Sequence, residues 1–161
     1  GDGRTHVMQP TIADAVNATS LLEHLLRPLS VTPRPVALTH SAANGLGALL
    51  ALTAKWEHGT PFILTEHGVY LRERYLAYRK STYSRPVKAL VLRFFKLLTD
   101  AAYRIADLIT PGNTYNQRWA LRGGAPAEII KTVYNGVEPD EFPAAVGEPE
   151  KLGGLAGLPL D

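Results

Sequence analysis

A short apolar run at residues 61–64 leads directly into a cluster of titratable side chains. The run has the length of a strand and no polar alternation, which predicts a strand buried on both faces of a parallel sheet. Glu66 and His67 follow it, at the carboxyl end where ligands of open parallel sheets bind. His67 is suited to proton transfer or to a hydrogen bond with a sugar hydroxyl, and Glu66 to accepting hydrogen bonds or orienting the imidazole. The alternative is an ordinary turn, in which Gly68 supplies the unusual backbone angle and Glu66 faces water.

Four apolar segments of strand length alternate with helical patterns along the chain. The predicted strands are residues 36–39, 61–65, 108–110 and 128–134, and the predicted helices are residues 11–28, 44–57, 86–107 and 115–122. This alternation predicts an α/β fold with a parallel sheet, right-handed crossovers and helices on both faces. The composition shifts to Pro, Gly, Ala and Glu after Phe142. We therefore predict a helical lead-in at 1–35, the sheet domain at 36–141, and a linker or truncated start of a second domain at 142–161.

Polar residues follow each of the four predicted strands. They are His40 and Ser41 after the first strand, Glu66 and His67 after the second, Thr110, Gly112 and Asn113 after the third, and Asn135 and Gly136 after the fourth. Strands of a parallel sheet point the same way, so these four sets are expected to gather along one edge. Helix capping and turn formation are the alternative explanation for each set taken singly.

Residues 70–85 are rich in arginine and tyrosine. This combination is suited to binding phosphate groups or to stacking on sugars and bases. The alternative is a solvated surface helix whose tyrosines cover the core. A net charge of +2 for the whole chain gives no further support for nucleic acid, and we predict none as a partner.

The composition excludes several classes of site. The chain of 161 residues contains no cysteine, which excludes disulfides, thiolate metal sites and cysteine nucleophiles. His40 and His67 lack metal-ligand spacing, so no metal is predicted. The longest apolar run, residues 46–54, is shorter than the roughly 18 to 20 residues of a membrane span, so we expect a protein that does not span the membrane and is cytoplasmic. The first residues contain no initiator methionine, and we expect a piece of a longer protein.

Three stretches of the sequence resemble the PelF-type glycosyltransferases, a branch of the family 4 retaining enzymes implicated in Pel exopolysaccharide synthesis. They are TEHGVYLRERYLAYR, FKLLTDAAYRIADLITPGNTYNQRWALRGGAP and TVYNGVEPDEFP. The resemblance covers about residues 35–143. Its closing NGVEPDEF is similar to the NGVDxxxF motif that ends the first domain across family 4, and EHGVYLRER points to the narrower branch.

The resemblance implies a GT-B enzyme, in which two Rossmann-like domains face a cleft and the second domain holds most of the sugar nucleotide. This chain would be part of the N-terminal, acceptor-side domain of a hexosyltransferase that moves glucose or a related sugar from a UDP-sugar donor to a growing exopolysaccharide. The UDP-sugar is a co-substrate, and no cofactor is implied. The implied partners are the donor, the saccharide acceptor and a membrane-embedded polysaccharide synthase complex at the inner membrane face. The glycine-rich loop and the paired glutamates of the family are missing here, so we expect the chain alone to be inactive.

The resemblance also implies roles for individual residues. His67 corresponds to a histidine that lies against the donor sugar near the anomeric carbon and acts by positioning and electrostatic support, with Glu66 beside it. The remaining implied residues either contact substrate or form the hinge between domains: His40, Ser41, Arg72 and Arg74 for substrate, and Asn135 and Gly136 for the hinge. Its position after the third predicted strand adds Asn113 as a further substrate contact. Two other interpretations stay open, a non-catalytic Rossmann-like interaction module and a nucleotide-dependent enzyme of another class.

Overall fold

A computed structural model describes residues 9–136 of the chain. The strands are β1 (Thr39–Ser41), β2 (Phe62–Glu66) and β3 (Leu108–Pro111), and the helices are α1 (Ile12–Leu26), α2 (Gly47–His58), α3 (Tyr70–Arg79), α4 (Arg85–Ile105) and α5 (Thr114–Arg122). Short 3-10 turns lie at Arg27–Ser30 and Ala127–Ile129. The predicted linker at 142–161 and the first eight residues of the predicted lead-in lie outside the described residues.

The three strands form a parallel sheet in the order β1-β2-β3. Helices flank this sheet, and the alternation of strands with helices gives a Rossmann-like α/β fold, as the sequence predicts. No helix within residues 9–136 is long and apolar enough to cross a membrane.

The core lies between one face of the sheet and helices α2, α4 and α5. Phe62, Leu64 and Ile109 point to that face and are fully buried with apolar side chains of the three helices. Alternate residues of β2 and β3, such as Ile63 and Thr110, are only half-buried on the opposite face. The predicted burial of the second strand on both faces is therefore wrong for the described residues. β2 alternates because no comparable core covers its other side within residues 9–136.

Two prolines limit the length of the sheet. Thr39 N donates to the Pro61 carbonyl. The preceding bond of a parallel ladder would have Pro61 as the donor, and proline has no N–H. β1 therefore begins at Thr39, later than predicted, and His40 and Ser41 lie within the strand instead of after it.

Pro111 has the same effect at the other side of the sheet. Lys131 N and Val133 N donate to the carbonyls of Ile109 and Pro111, so residues 130–133 run along β3. In a parallel ladder, the bond between these two would have Pro111 as the donor, and proline has no N–H. The pairing is therefore a single bridge between Ile109 and Ile130. The fourth strand predicted at 128–134 is wrong as a regular strand, although residues 130–133 run beside β3.

Helices α1 and α3 pack against the long helix α4. α4 has the predicted apolar stripe, and its buried Val91 and Phe95 contact Leu25 of α1 in a second small core. Thr11 caps α1 by accepting a bond from Asp14 N at 3.1 Å, and the Asp14 carboxylate accepts one from Thr11 N at 2.8 Å. Helix α1, which belongs to the predicted lead-in, thus packs on the same body as the sheet.

Candidate functional site

Glu66, the last residue of β2, is buried at the carboxyl edge of the sheet. Only 4% of its surface is exposed. The Tyr103 hydroxyl donates to its carboxylate at 2.8 Å and 3.0 Å from the two oxygens, and Asn44 Nδ2 donates at 3.3 Å. Glu66 therefore does not face water, in contrast to the simple turn considered from the sequence, and it joins the loop after β1 to helix α4.

Burial controls the protonation of this cluster. Desolvation raises the pKa of the Glu66 carboxyl above its ordinary value, and the hydrogen bonds from Tyr103 and Asn44 oppose that rise. Burial, followed by the neighbouring Glu66 carboxylate, raises the pKa of the Tyr103 hydroxyl. Tyr103 consequently stays protonated and remains the donor in the pair.

The loop after β3 fixes the backbone of Glu66. Gly112 N donates to the Glu66 carbonyl at 2.9 Å, and the buried Asn116 donates to the same carbonyl through Nδ2 at 3.2 Å. Asn113 Oδ1 caps α5 by accepting from Asn116 N at 2.8 Å. Predicted as a substrate contact, Asn113 has its side-chain oxygen committed to this cap, and a substrate role for it stays a prediction.

His67 lies one residue beyond this anchored position and is exposed. It lines a small cleft of about 210 Å³ between the loop after β1 and the start of α3. Asn44, Tyr70 and Glu73 supply the other polar groups of the cleft. The His67 ring makes no hydrogen bond within residues 9–136, so both of its nitrogens are available to a ligand. A cleft therefore lies at the carboxyl end of β2, and the roles predicted for its residues stay predictions.

Tyr70 forms one wall of the cleft by packing on a glycine. A Cβ atom at Gly45 would lie 2.7 Å from Tyr70 Cζ, so the ring approaches closer than a side chain at position 45 permits. Phe95 contacts the ring edge to face, with centroids 5.7 Å apart, and the Arg74 guanidinium lies 4.9 Å from the ring centroid. Three neighbours thus fix the orientation of Tyr70.

Several residues predicted for the site lie elsewhere. The Nε2 atom of His40 is 2.8 Å from Thr65 Oγ1 on the half-exposed sheet face, and Thr65 Oγ1 is 2.6 Å from Thr110 Oγ1. Ser41 is buried and donates to Ala43 O at 2.8 Å. His40 and Ser41 therefore do not line the cleft with His67, because both belong to the strand.

The basic and hinge residues are also separated from His67. Arg72 lines a different cavity, beside α4 and α5, whereas Arg74 stacks on Tyr70. Asn135 and Gly136 are exposed at the end of the described chain, and their hinge role stays a prediction. Within residues 9–136, no group of three or more His, Asp or Glu side chains could hold a metal ion.

The residues around this cleft lie within a known family domain. The family model described as a domain of unknown function, DUF3492, matches residues 3–128. The chain belongs to the DUF3492 family. No curated protein matches it. The DUF3492 match spans every strand and helix around the cleft, so Glu66, His67 and their neighbours all belong to the family domain.

Sequence reasoning missed three polar residues of this DUF3492 site. Asn44 and Asn116 looked like ordinary loop and helix residues, and Tyr103 lay within an amphipathic helix. The available signal was the Tyr103 hydroxyl, because a tyrosine in the buried part of a helix needs a hydrogen-bond partner. Glu66 is that partner, 37 residues away in sequence.

Proposed function

We propose that this chain is part of the N-terminal, acceptor-side domain of a retaining glycosyltransferase of the GT-B type. The complete enzyme would transfer glucose or a related sugar from a UDP-sugar donor to a growing exopolysaccharide. Three findings support this proposal: the DUF3492 family is associated with glycosyltransferases, the fold is Rossmann-like, and a polar cleft lies at the carboxyl edge of the sheet.

The cleft around His67 carries the proposal. Its volume of about 210 Å³ is below the roughly 300 to 1,000 Å³ of pockets that enclose a drug-sized ligand. It therefore suits a single polar ring better than a whole sugar nucleotide. Imidazole, amide, phenol and carboxylate groups from His67, Asn44, Tyr70 and Glu73 surround this volume, and all four form hydrogen bonds with hydroxyls.

The buried cluster would give His67 a fixed position for glycosyl transfer. Two donors hold the Glu66 carbonyl and two hold its carboxylate, so the backbone that carries His67 is restrained on both sides. Carried on this restrained backbone, the His67 ring would support charge that develops on the sugar and on the departing diphosphate. Glu66 then acts as a positioning residue for His67, since its own carboxylate is buried.

The nucleotide of the donor would bind outside this chain. A cleft of about 210 Å³ is small for a whole sugar nucleotide, and the resemblance assigns the diphosphate and the base mainly to a second domain. Closing two domains also excludes water from the reaction. We therefore expect the isolated chain to bind UDP-glucose weakly or not at all and to transfer no sugar.

The test replaces His67 in the complete enzyme. We expect His67→Ala to lower kcat for transfer from UDP-glucose by roughly 100-fold or more, the scale for losing one preorganised group at the reacting centre. His58→Ala is the matched control, because His58 lies at the end of α2 and bonds the Pro33 carbonyl at 3.0 Å. The control should retain the activity of the unchanged enzyme.

Three results would contradict the proposal. Unchanged turnover in His67→Ala would remove this residue from the site. Robust transferase activity of the isolated chain would show that the second domain is unnecessary. Stable capture of a partner protein, without any sugar transfer by the complete protein, would favour the interaction module.

A further inference from the structure

A second cavity is lined in part by Tyr103 and shares no lining residue with the His67 cleft. It has a volume of about 360 Å³ and is formed by the start of α3, the middle of α4 and the end of α5; we refer to it as the α4–α5 cavity. Its volume falls within the range of pockets that bind small organic ligands. None of the residues proposed for sugar transfer, other than Arg72, lines it.

The walls of the α4–α5 cavity are mostly apolar. Val69 and Leu71 contribute aliphatic surface, and Tyr75 and Trp119 contribute aromatic surface. The cavity offers little polar surface. A ligand that needs many hydrogen bonds, such as a nucleotide or a sugar, therefore does not match it. A hydrocarbon chain is the ligand body that matches such walls, because its burial removes apolar surface from water on both partners.

Cationic side chains lie at this cavity. Arg72 and Arg122 line it and form no ion pair within residues 9–136. Lys96 also lines it but is bound to Asp100, with Nζ 2.6 Å from one carboxylate oxygen. The Arg122 guanidinium lies 5.7 Å from the centroid of the Trp119 ring, which keeps its charge beside the apolar wall. The excess of positive charge favours an anionic head group.

We propose that the α4–α5 cavity binds an amphipathic anion, a hydrocarbon chain that ends in a phosphate. The chain lies against Leu71, Tyr75 and Trp119, and Arg72 and Arg122 hold the phosphate through charge-assisted hydrogen bonds. This proposal does not depend on sugar transfer, because it uses a separate cavity and predicts binding rather than turnover.

The test measures binding of monomeric alkyl phosphates to the full chain by calorimetry. We expect decyl phosphate, below its micelle concentration, to bind at one site. Each methylene removed from the chain should weaken binding by about fourfold, the value for one buried methylene group. Decyl glucoside, with the same chain and no charge, and inorganic phosphate, with charge and no chain, should each bind at least tenfold more weakly.

Charge-removing variants locate the head group. Arg72→Ala combined with Arg122→Ala should weaken decyl phosphate by tenfold or more, since both cations are lost. Arg79→Ala combined with Arg93→Ala is the control, because both residues are exposed, lie on α3 and α4, and do not line the cavity. The control should bind like the unchanged chain. Circular dichroism verifies that both variants fold.

Tryptophan fluorescence locates the hydrocarbon chain. The sequence contains two tryptophans, and Trp56→Phe leaves Trp119 as the single reporter while changing a residue that is 65% exposed. Decyl phosphate should shift the emission of this variant to shorter wavelength.

Four results would overturn the proposal. These are no binding of decyl phosphate, equal binding by the Arg72 and Arg122 variant, an unchanged Trp119 emission on saturation, and displacement of decyl phosphate by uridine monophosphate, which would make the cavity a nucleotide site. Binding to phosphatidic acid vesicles without binding of monomeric decyl phosphate would also overturn it, because the ligand would then be a membrane surface.

Discussion

Replacing Glu66 tests whether a buried carboxylate organises the edge of the sheet. Glu66→Ala leaves the hydroxyl of Tyr103, 5% exposed, and the amide of Asn44, 2% exposed, without their acceptor. An unpaired buried polar group costs about 1 to 3 kcal/mol, so the two together cost about 2 to 6 kcal/mol of the free energy of unfolding. Glu66→Gln keeps an oxygen for both donors and should cost less than about 1.5 kcal/mol at pH 4.5.

The pH dependence of these variants has a definite sign. Burial raises the pKa of Glu66 in the folded chain, so the folded state holds the proton more tightly than the unfolded state. The resulting stabilisation is present below the unfolded pKa and is lost as the pH rises through the folded value. Glu66→Gln has no such titration. Relative to the unchanged chain, it should therefore gain stability between pH 4.5 and pH 8, by about 1.4 kcal/mol for each unit by which the pKa is raised.

Urea denaturation followed by circular dichroism at pH 4.5, 6 and 8 measures this effect. The difference between Glu66→Gln and the unchanged chain cancels every other titrating group. Asp14 and Asp107, whose pKa values are lowered, titrate below this range in any case. A difference that does not change with pH, or Glu66→Ala as stable as the unchanged chain at pH 4.5, would refute the assignment of Glu66 as a buried organising carboxylate.

Two further changes probe the cleft wall and the start of the sheet. Gly45→Ala forces the Tyr70 ring away from its position, since the added Cβ would lie 2.7 Å from Cζ, and should cost about 1 to 3 kcal/mol in urea denaturation. Asp107→Ala removes the acceptor for Lys55 Nζ and for the buried Phe62 N at 2.8 Å, which should cost about 1 to 3 kcal/mol at pH 7. The hydrogen bond from Lys55 is the main cause that lowers the pKa of Asp107 below 3.8. The stabilisation of the folded state by the Asp107 carboxylate is therefore lost as the pH falls below 3.8 through the folded pKa. The difference in stability between Asp107→Ala and the unchanged chain should shrink in that range.

Each of these two changes has a matched control. Gly136→Ala adds a Cβ with no atom within 4 Å, and its stability should match the unchanged chain. Glu57→Ala removes an exposed carboxylate that lies 3.9 Å from His58 Nε2, and should change stability by less than about 0.5 kcal/mol. A Gly45→Ala chain of unchanged stability, or an Asp107→Ala difference that persists at low pH, would show that these contacts do not have the stated effect.

The sequence predicted the parallel arrangement and the position of the cleft because both depend on local patterns. The apolar run before Glu66 and the stripe of α4 are periodic signals that a single segment contains. The strand-end rule placed His67 at the carboxyl edge of the sheet, because it requires only that the strands be parallel, and the role of His67 there stays a prediction.

The missed features depend on contacts between distant segments. The burial of Glu66 requires Asn44 and Tyr103, which are 22 and 37 residues away in sequence. The ends of the sheet depend on which residues face Pro61 and Pro111, and that register is not encoded in either strand alone. His40 illustrates the result, since its position beside Thr65 follows from pairing with β2.

Pro111 has a mechanical consequence for the chain that follows β3. Val133 N to Pro111 O is the last backbone bond along the described chain, and Tyr134, Asn135 and Gly136 beyond it are exposed. Pro111 is the register partner of Glu66, the residue before His67. A tensile load applied beyond Val133 would therefore act first on the hydrogen bond to Pro111, the residue that pairs with the strand end just before His67.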